Sequence, residues 1–160
     1  MSFKPKFETL NDIFRASTKA FSDRPLFGEK KAGRWQWLTY GQFAKHVDEV
    51  RGGLAALGVG KGDRVAVISN NRSEWAIGAY ATYGLGAQYV PMYESQLDKD
   101  WKFILNNCGA CAVVVANEAI CDRVQGFYIC PPVVGERIVP WVKKWEEKKP
   151  SIVVPIKKDS

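Results

Sequence analysis

The most regular pattern of hydrophobic and polar positions lies between Tyr40 and Leu57. Apolar residues recur there at steps of four, three, four and three, so they form one stripe along a helix. The stripe consists of Phe43, Val47, Val50, Leu54 and Leu57. Gly58 follows at once, and a glycine in the left-handed conformation commonly ends a helix. This pattern predicts an amphipathic helix over 40–57.

Short unbroken apolar runs alternate with helical patterns further along the chain. The runs cover 65–68, 89–90 and 112–115, and Pro91 is expected to stop the second one. Such runs are typical of strands that are covered on both faces. Strands that alternate with helices predict an α/β fold, with right-handed crossovers between the strands. We expect a partial parallel sheet with helices on both faces.

Two helical patterns separate these three runs. The first begins at Ser73 and is ended by Gly84 and Gly86, and Asn70, Asn71 and Ser73 are expected to supply its turn and cap chemistry. The second covers 98–106. Its inward-facing residues are expected to be Trp101, Ile104 and Leu105.

The N-terminal part of the chain predicts a helix and a hairpin. Thr9 is expected to cap a helix whose apolar residues are Leu10, Ile13, Phe14 and Phe21. Strands over 26–29 and 34–39 are expected to form a β-hairpin. Trp35 and Trp37 would then lie on one face of the second strand, because side chains alternate between faces.

The pattern weakens towards the C-terminus. Asn117 is expected to cap a short helix through about Val124. After about Gln125 the sequence loses a clear period. A helix over 140–149 and a strand over 151–156 are the elements expected there.

Composition and charge fit one globular domain. The chain has 160 residues, 46% of them hydrophobic, and a formal net charge of +6. This charge is diffuse, although 136–160 carries seven Lys or Arg against four Asp or Glu. Nucleic-acid-binding proteins concentrate such charge in a stripe, so we expect no nucleic-acid partner. No apolar run approaches the ~20 residues of a membrane span. With no secretory signal visible either, we expect a cytoplasmic protein, or one peripheral to a membrane.

Four cysteines and one histidine are the candidate metal ligands. Cys108 and Cys111 could form half of a zinc site, with Cys121 and Cys130 as the other half. Two observations disfavour zinc: Cys111 opens a buried strand, and the second pair is not closely spaced. His46 is expected on the polar face of a helix. We therefore predict no metal ligand.

The segment "GLAALGVGKGDRVAVI" raises the question of a phosphate-binding loop. In such loops a strand comes first, then glycines, then the N-terminus of a helix. Here the order is helix, glycines, strand. A helix C-terminus carries partial negative charge and repels phosphate. Gly58, Gly60 and Gly62 therefore predict a tight turn, while the helix that begins at Ser73 could hold an anion.

The same region nevertheless resembles the N-terminal part of the adenylate-forming, AMP-binding superfamily, and within it the long-chain fatty-acid–CoA ligases. The matching pieces are "TY" at Thr39 and Tyr40, "GLAALGVGKGDRVAV", "NNRSEW" and "YVPMYES". The resemblance rests on their order and spacing and runs from about Thr9 to Gln125. It divides the chain into an N-terminal AMP-binding part, 1–125, and a divergent basic tail, 126–160.

The resemblance implies a chemistry. Such enzymes use ATP and Mg²⁺ to convert a fatty acid to an acyl-adenylate, and then transfer the acyl group to coenzyme A. The family's phosphate loop, roughly T-S-G-T-T-G-x-P-K-G, and its Tyr-Gly-x-Thr-Glu motif do not occur in this sequence. No catalytic or cofactor-binding residue can therefore be assigned. We expect a ligase fragment, truncated before the catalytic motifs, that is inactive and binds no cofactor alone.

Two alternatives stay open beside the fragment. One is a stand-alone binding or regulatory module that associates with a full-length ligase, for which the tail with Trp141 and Trp145 is the only support. The other is a small zinc or redox protein built on the four cysteines. Exposed apolar surface is expected if covering segments belong to a larger enzyme.

Overall fold

The computed structural model describes residues 6–127 and 152–155, which form five helices and six strands. The N-terminal elements are α1 (Leu10–Ala20), β1 (Pro25–Lys31), β2 (Arg34–Thr39) and α2 (Tyr40–Ala56). The central elements are β3 (Arg64–Ile68), α3 (Ser73–Gly84), β4 (Gln88–Met92) and α4 (Asp98–Cys108). The last elements are β5 (Ala112–Val115), α5 (Glu118–Phe127) and β6 (Ile152–Pro155).

The strands form two sheets. β1 and β2 make an antiparallel hairpin, and the larger sheet has the order β4-β3-β5-β6. Its first three strands are parallel, with Val65 opposite both Tyr89 and Ala112. β6 pairs with β5 antiparallel, which is a common arrangement at the side of a parallel sheet. The predicted α/β class with a parallel sheet is confirmed, with this one antiparallel strand added.

Hydrophobic residues on the two faces of the larger sheet form two separate core layers. On one face, Ala66 and Ile68 of β3 pack with Trp101 of α4 and Ile120 of α5. On the other face, the core layer is built from Val65 of β3 with residues of α2 and α3. These residues are Phe43, Val47, Leu54, Ile77 and Ala81. The apolar runs are continuous in sequence because helices cover both faces of the sheet.

Local capping explains where two of the helices begin. Thr9 and Thr39 each form a capping box: the hydroxyl accepts from a backbone N–H three residues later, and that residue's side chain accepts in return. Gly58 has φ 86°, a left-handed conformation that a side chain would strain. The predicted starts of α1 and α2, and the glycine stop after α2, are confirmed.

α3 begins at Ser73, as predicted, but its cap differs from the prediction. Arg72 occupies the N-cap position and makes no side-chain cap bond. Asn70, Asn71 and Ser73 were expected to supply the cap, and this expectation is wrong. The Ser73 hydroxyl donates to the Glu74 carboxylate at 3.0 Å instead.

Pro91 does not stop β4. The strand continues through Pro91 to Met92, and Pro91 lies opposite Val67 of β3. Among the described strands β4 has a neighbour on one side alone. A proline is tolerated in such a strand because its missing N–H need not serve a second neighbour. The expected helix over 140–149 lies outside the described residues, whereas the expected strand over 151–156 corresponds to β6.

Candidate functional site

The glycine-rich segment between α2 and β3 forms a tight turn, as predicted. The N–H of Gly60 donates to the Asp63 carboxylate at 2.9 Å, and the N–H of Gly62 donates to the Gly86 carbonyl at 3.0 Å. Gly62, like Gly58, has φ 86°. These N–H groups donate within the protein, so the turn ties α2 to the loop before β4.

The carboxyl ends of β3, β4 and β5 meet at one edge of the sheet, because the three strands are parallel. The loops that leave them are joined by hydrogen bonds. The N–H of Asn70 donates to the Glu94 carboxylate at 2.8 Å, and the N–H of Ala116 donates to the Ile68 carbonyl at 3.0 Å. A cavity of about 130 Å³ between the ends of β3 and β4 is lined by Ser69, Asn71, Trp75, Pro91, Met92 and Tyr93.

The topology places a switch in chain direction, named here the crevice, between the carboxyl ends of β3 and β5. After β3 the chain enters α3 on one face of the sheet, whereas after β5 it enters α5 on the other face. In open α/β sheets, ligands bind at such a switch in direction, outside the carboxyl ends of the strands. The two loops at this point are 69–72 and 116–117. This is the candidate functional site of the described chain.

The polar side chains of these two loops are hydroxyls, amides and one cation, Arg72. Asn117 caps α5, as predicted: its Oδ1 accepts from the N–H of Ile120 at 3.0 Å. The Ser69 hydroxyl donates to the Asn70 carbonyl at 2.9 Å. The Glu94 carboxylate accepts a hydrogen bond from the N–H of Asn70. Such groups can position a ligand, but they supply no activated nucleophile. An anion at the start of α3 stays a prediction.

An apolar groove of about 250 Å³ lies on the other side of α3, between α1, β1 and α2. Phe14, Phe43 and Tyr80 form its aromatic wall, with ring centroids 5.1–5.8 Å apart. Neither this groove nor the crevice was predicted from the sequence. The crevice could have been located, since strand carboxyl ends are readable from the strand order. The groove depends on how α1 packs.

The cysteines and the histidine take separate positions. Cys108 Sγ donates to the Leu105 carbonyl and Cys111 Sγ to the Arg64 carbonyl, at 3.5 and 3.4 Å. Cys121 is buried, which raises the pKa of its thiol, and Asp122 and Glu118 raise it further. His46 lies at the surface beside Glu49, as predicted. Cys130 lies outside the described residues.

The described residues include neither a metal-binding cluster nor a membrane-spanning helix. Among them, no group of three or more His, Cys, Asp or Glu side chains could hold a metal ion. Within the same part of the chain, no helix is long and apolar enough to cross a membrane. The prediction that this chain carries no catalytic, cofactor-binding or metal-binding residue stays a prediction.

Comparison with known proteins decides the family. The model of the AMP-binding enzyme family matches residues 14–159. The chain belongs to this family. Among curated relatives, long chain acyl-CoA synthetase 3 of Arabidopsis thaliana is 33% identical over 89 residues, and long-chain-fatty-acid–CoA ligase 6 of Rattus norvegicus is 29% identical over 110 residues. These alignments cover 52% and 67% of this chain, but 13% and 16% of the relatives.

Solved structures of this family share the fold. One from Rhodopseudomonas palustris, provisionally described as a long-chain-fatty-acid CoA ligase, has a TM-score of 0.65 and 29% identity over 74% of this chain and 29% of its own. The inhibitor-bound N-terminal domain of FACL13 from Mycobacterium tuberculosis has a TM-score of 0.67 at 22% identity, over 75% of this chain and 29% of its own. The predicted resemblance to fatty-acid–CoA ligases is confirmed. The chain spans less than a third of any of these four proteins.

Proposed function

We propose that this chain corresponds to the N-terminal portion of a fatty-acid–CoA ligase. The whole enzyme would convert a fatty acid, ATP and coenzyme A to acyl-CoA, AMP and pyrophosphate. The observation that carries the proposal is the family match over 14–159, together with relatives named as long-chain acyl-CoA synthetases. A cytoplasmic location and the use of ATP, Mg²⁺ and coenzyme A by the whole enzyme belong to the same proposal.

The chemistry explains why further residues are needed for activity. A carboxylate is a poor electrophile, and adenylation gives it AMP as a leaving group. The transition state of such a transfer needs cations and N–H groups aimed at the phosphates. The loops after β3 and β5 offer hydroxyl and amide side chains and a single cation, Arg72, and Asn117 is already used as a helix cap. We therefore propose that this chain contributes a scaffold and does not catalyse adenylation by itself.

Fatty-acid-dependent exchange of pyrophosphate into ATP tests this proposal. The purified 160-residue chain is incubated with ATP, Mg²⁺, labelled pyrophosphate and palmitate, and exchange is measured with and without palmitate. A full-length ligase added to a parallel sample shows that the assay conditions support exchange. We expect no palmitate-dependent exchange from the chain alone. Exchange that co-elutes with the chain on size exclusion would refute the scaffold role.

A second function, association with a full-length ligase as a non-catalytic module, has one observation in its favour. The groove walled by Phe14, Phe43 and Tyr80 is apolar and open to solvent, and such surfaces often contact another protein. Co-elution of the chain with a full-length ligase of the same family would support this function. Separate elution at micromolar concentrations would count against it.

A further inference from the structure

The β1–β2 hairpin presents two tryptophans on one open face. The register places Lys30 opposite Trp35 and Gly28 opposite Trp37, so these four residues share a face. The indole rings are stacked, with centroids 5.7 Å apart and an interplanar angle of 24°. Trp35 is 59% exposed and Trp37 is 57% exposed. This pair was predicted to lie on one face, and the structure confirms it.

The glycine at position 28 makes room for this arrangement. A Cβ added to Gly28 would lie 2.7 Å from the ring of Trp37, which means that the indole lies directly over the glycine backbone. The opposite face of the hairpin serves the core instead, where Phe27 and Leu38 pack against the layer built on α2. The hairpin is therefore anchored to the core by one face. On its other face, the two indoles lie against the strands and are open to solvent.

The charges around the two indoles are mainly positive. Between 25 and 39 the chain has three cations, Lys30, Lys31 and Arg34, and one acid, Glu29. Glu29 is engaged by Lys31 at 2.7 Å. Lys30 lies on the indole face of β1, whereas Arg34, the first residue of β2, is opposite Lys31 and therefore belongs to the other face, next to the tip of the hairpin. The hairpin thus combines two exposed indoles and Lys30 on one face with an excess of two positive charges over 25–39, three cations against one acid.

We propose that this hairpin face docks on the surface of an anionic lipid bilayer. Indoles prefer the headgroup level of a membrane, where the apolar ring and the polar N–H are both satisfied. Lys and Arg near the surface are attracted by anionic lipids. Neither the groove nor the cavity described above is lined by Trp35 or Trp37, so the indoles face outwards rather than into a ligand pocket. The two signals act together, which is the usual requirement for stable peripheral binding.

Co-sedimentation with vesicles tests the proposal and does not depend on ligase chemistry. The full 160-residue chain is mixed with vesicles of phosphatidylcholine alone, or of phosphatidylcholine with 30% phosphatidylserine, in low and high salt. We expect binding to the anionic vesicles, weakened by salt. Trp35→Ala with Trp37→Ala should lower the partition about tenfold. Lys30→Gln with Arg34→Gln should lower it about fivefold for each charge removed.

Matched controls come from α4, which also carries an exposed aromatic residue and an exposed lysine. Phe103 is 69% exposed, and Lys99 lies on the same helix. Phe103→Ala and Lys99→Gln should leave the partition within twofold of the wild-type chain. Far-UV circular dichroism checks that every variant is folded. Binding that is equal on neutral vesicles, or unchanged in the hairpin variants, or absent in the wild-type chain, would overturn the proposal.

Discussion

Removal of the Trp101 side chain is the sharpest test of the core described here. Trp101 lies on α4 with its side chain fully buried, at 0% exposure, in the core layer between α4, α5 and the sheet. Its indole N–H donates to the Tyr93 carbonyl at 3.0 Å, and the Arg123 guanidinium lies 4.2 Å from the ring centroid. Asp98 holds that guanidinium in an ion pair. The residue therefore joins α4, α5 and the loop after β4.

The expected cost of Trp101→Ala follows from these contacts. Truncation of a buried tryptophan to alanine costs about 3–5 kcal/mol, including the cavity that is left. The hydrogen bond contributes about 1 kcal/mol of this. We expect a loss of about 4 kcal/mol in the free energy of unfolding. A domain of this size has about 5–15 kcal/mol in total, so the variant should remain folded but be much less stable.

Urea unfolding followed by far-UV circular dichroism measures this loss, since fluorescence would be altered by the substitution itself. With an m-value of ~2 kcal/mol/M, the midpoint should fall by about 2 M. Trp101→Phe keeps most of the apolar ring and should cost about 1–2 kcal/mol, which gives a second measurement if the alanine variant does not fold. Phe103→Ala, on the exposed side of the same helix, should change stability by less than about 0.5 kcal/mol. If Trp101→Ala cost no more than Phe103→Ala, the core assignment would be wrong.

Two further predictions concern a half-buried phenol and a helix cap. Burial, and then the nearby Tyr83, raise the pKa of Tyr89. Above pH ~10 the unfolded chain loses the phenolic proton while the folded chain keeps it, so stability should fall by up to about 1.4 kcal/mol per pH unit. Between pH 9 and 11, the urea midpoint of Tyr89→Phe should fall less than that of the wild-type chain. An equal fall in the two proteins would contradict this prediction. Asn117→Ala removes the cap of α5 and should lower the free energy of unfolding by about 1 kcal/mol. Asn117→Asp keeps an oxygen acceptor at this position and should retain most of that stability. If the two variants lowered the urea midpoint equally, the cap would be contradicted.

The elements of the fold were largely predictable because local signals and burial agree. The stripe Phe43, Val47 and Leu54 gave α2 its buried face, and those three residues are buried in the structure. Thr9 and Thr39 cap helices through contacts three residues away, which sequence spacing specifies directly. Two local inferences failed. Pro91 is accommodated by the position of β4 in the sheet, and the loop at Asn70 is held by Glu94, which lies 24 residues later in the chain.

The candidate site was less predictable than the fold. Strand carboxyl ends could be read from the apolar runs, but the crevice between β3 and β5 exists because β5 lies beside β3, on the side away from β4. That order is decided by which helix packs on which face. The groove beside Phe14 likewise requires α1 to reach α2 and α3, elements separated from it by the hairpin.

The sequence by itself therefore determined the helices, the buried strands, the glycine turn and the family resemblance, because periodicity, capping and residue order are properties of neighbouring positions. The tertiary structure alone decided the strand order, the antiparallel addition of β6 and the two core layers. It also decided that Trp35 and Trp37 stay open to solvent while Phe27 and Leu38 are covered. These outcomes depend on contacts between residues far apart in the chain, and no local pattern specifies such contacts.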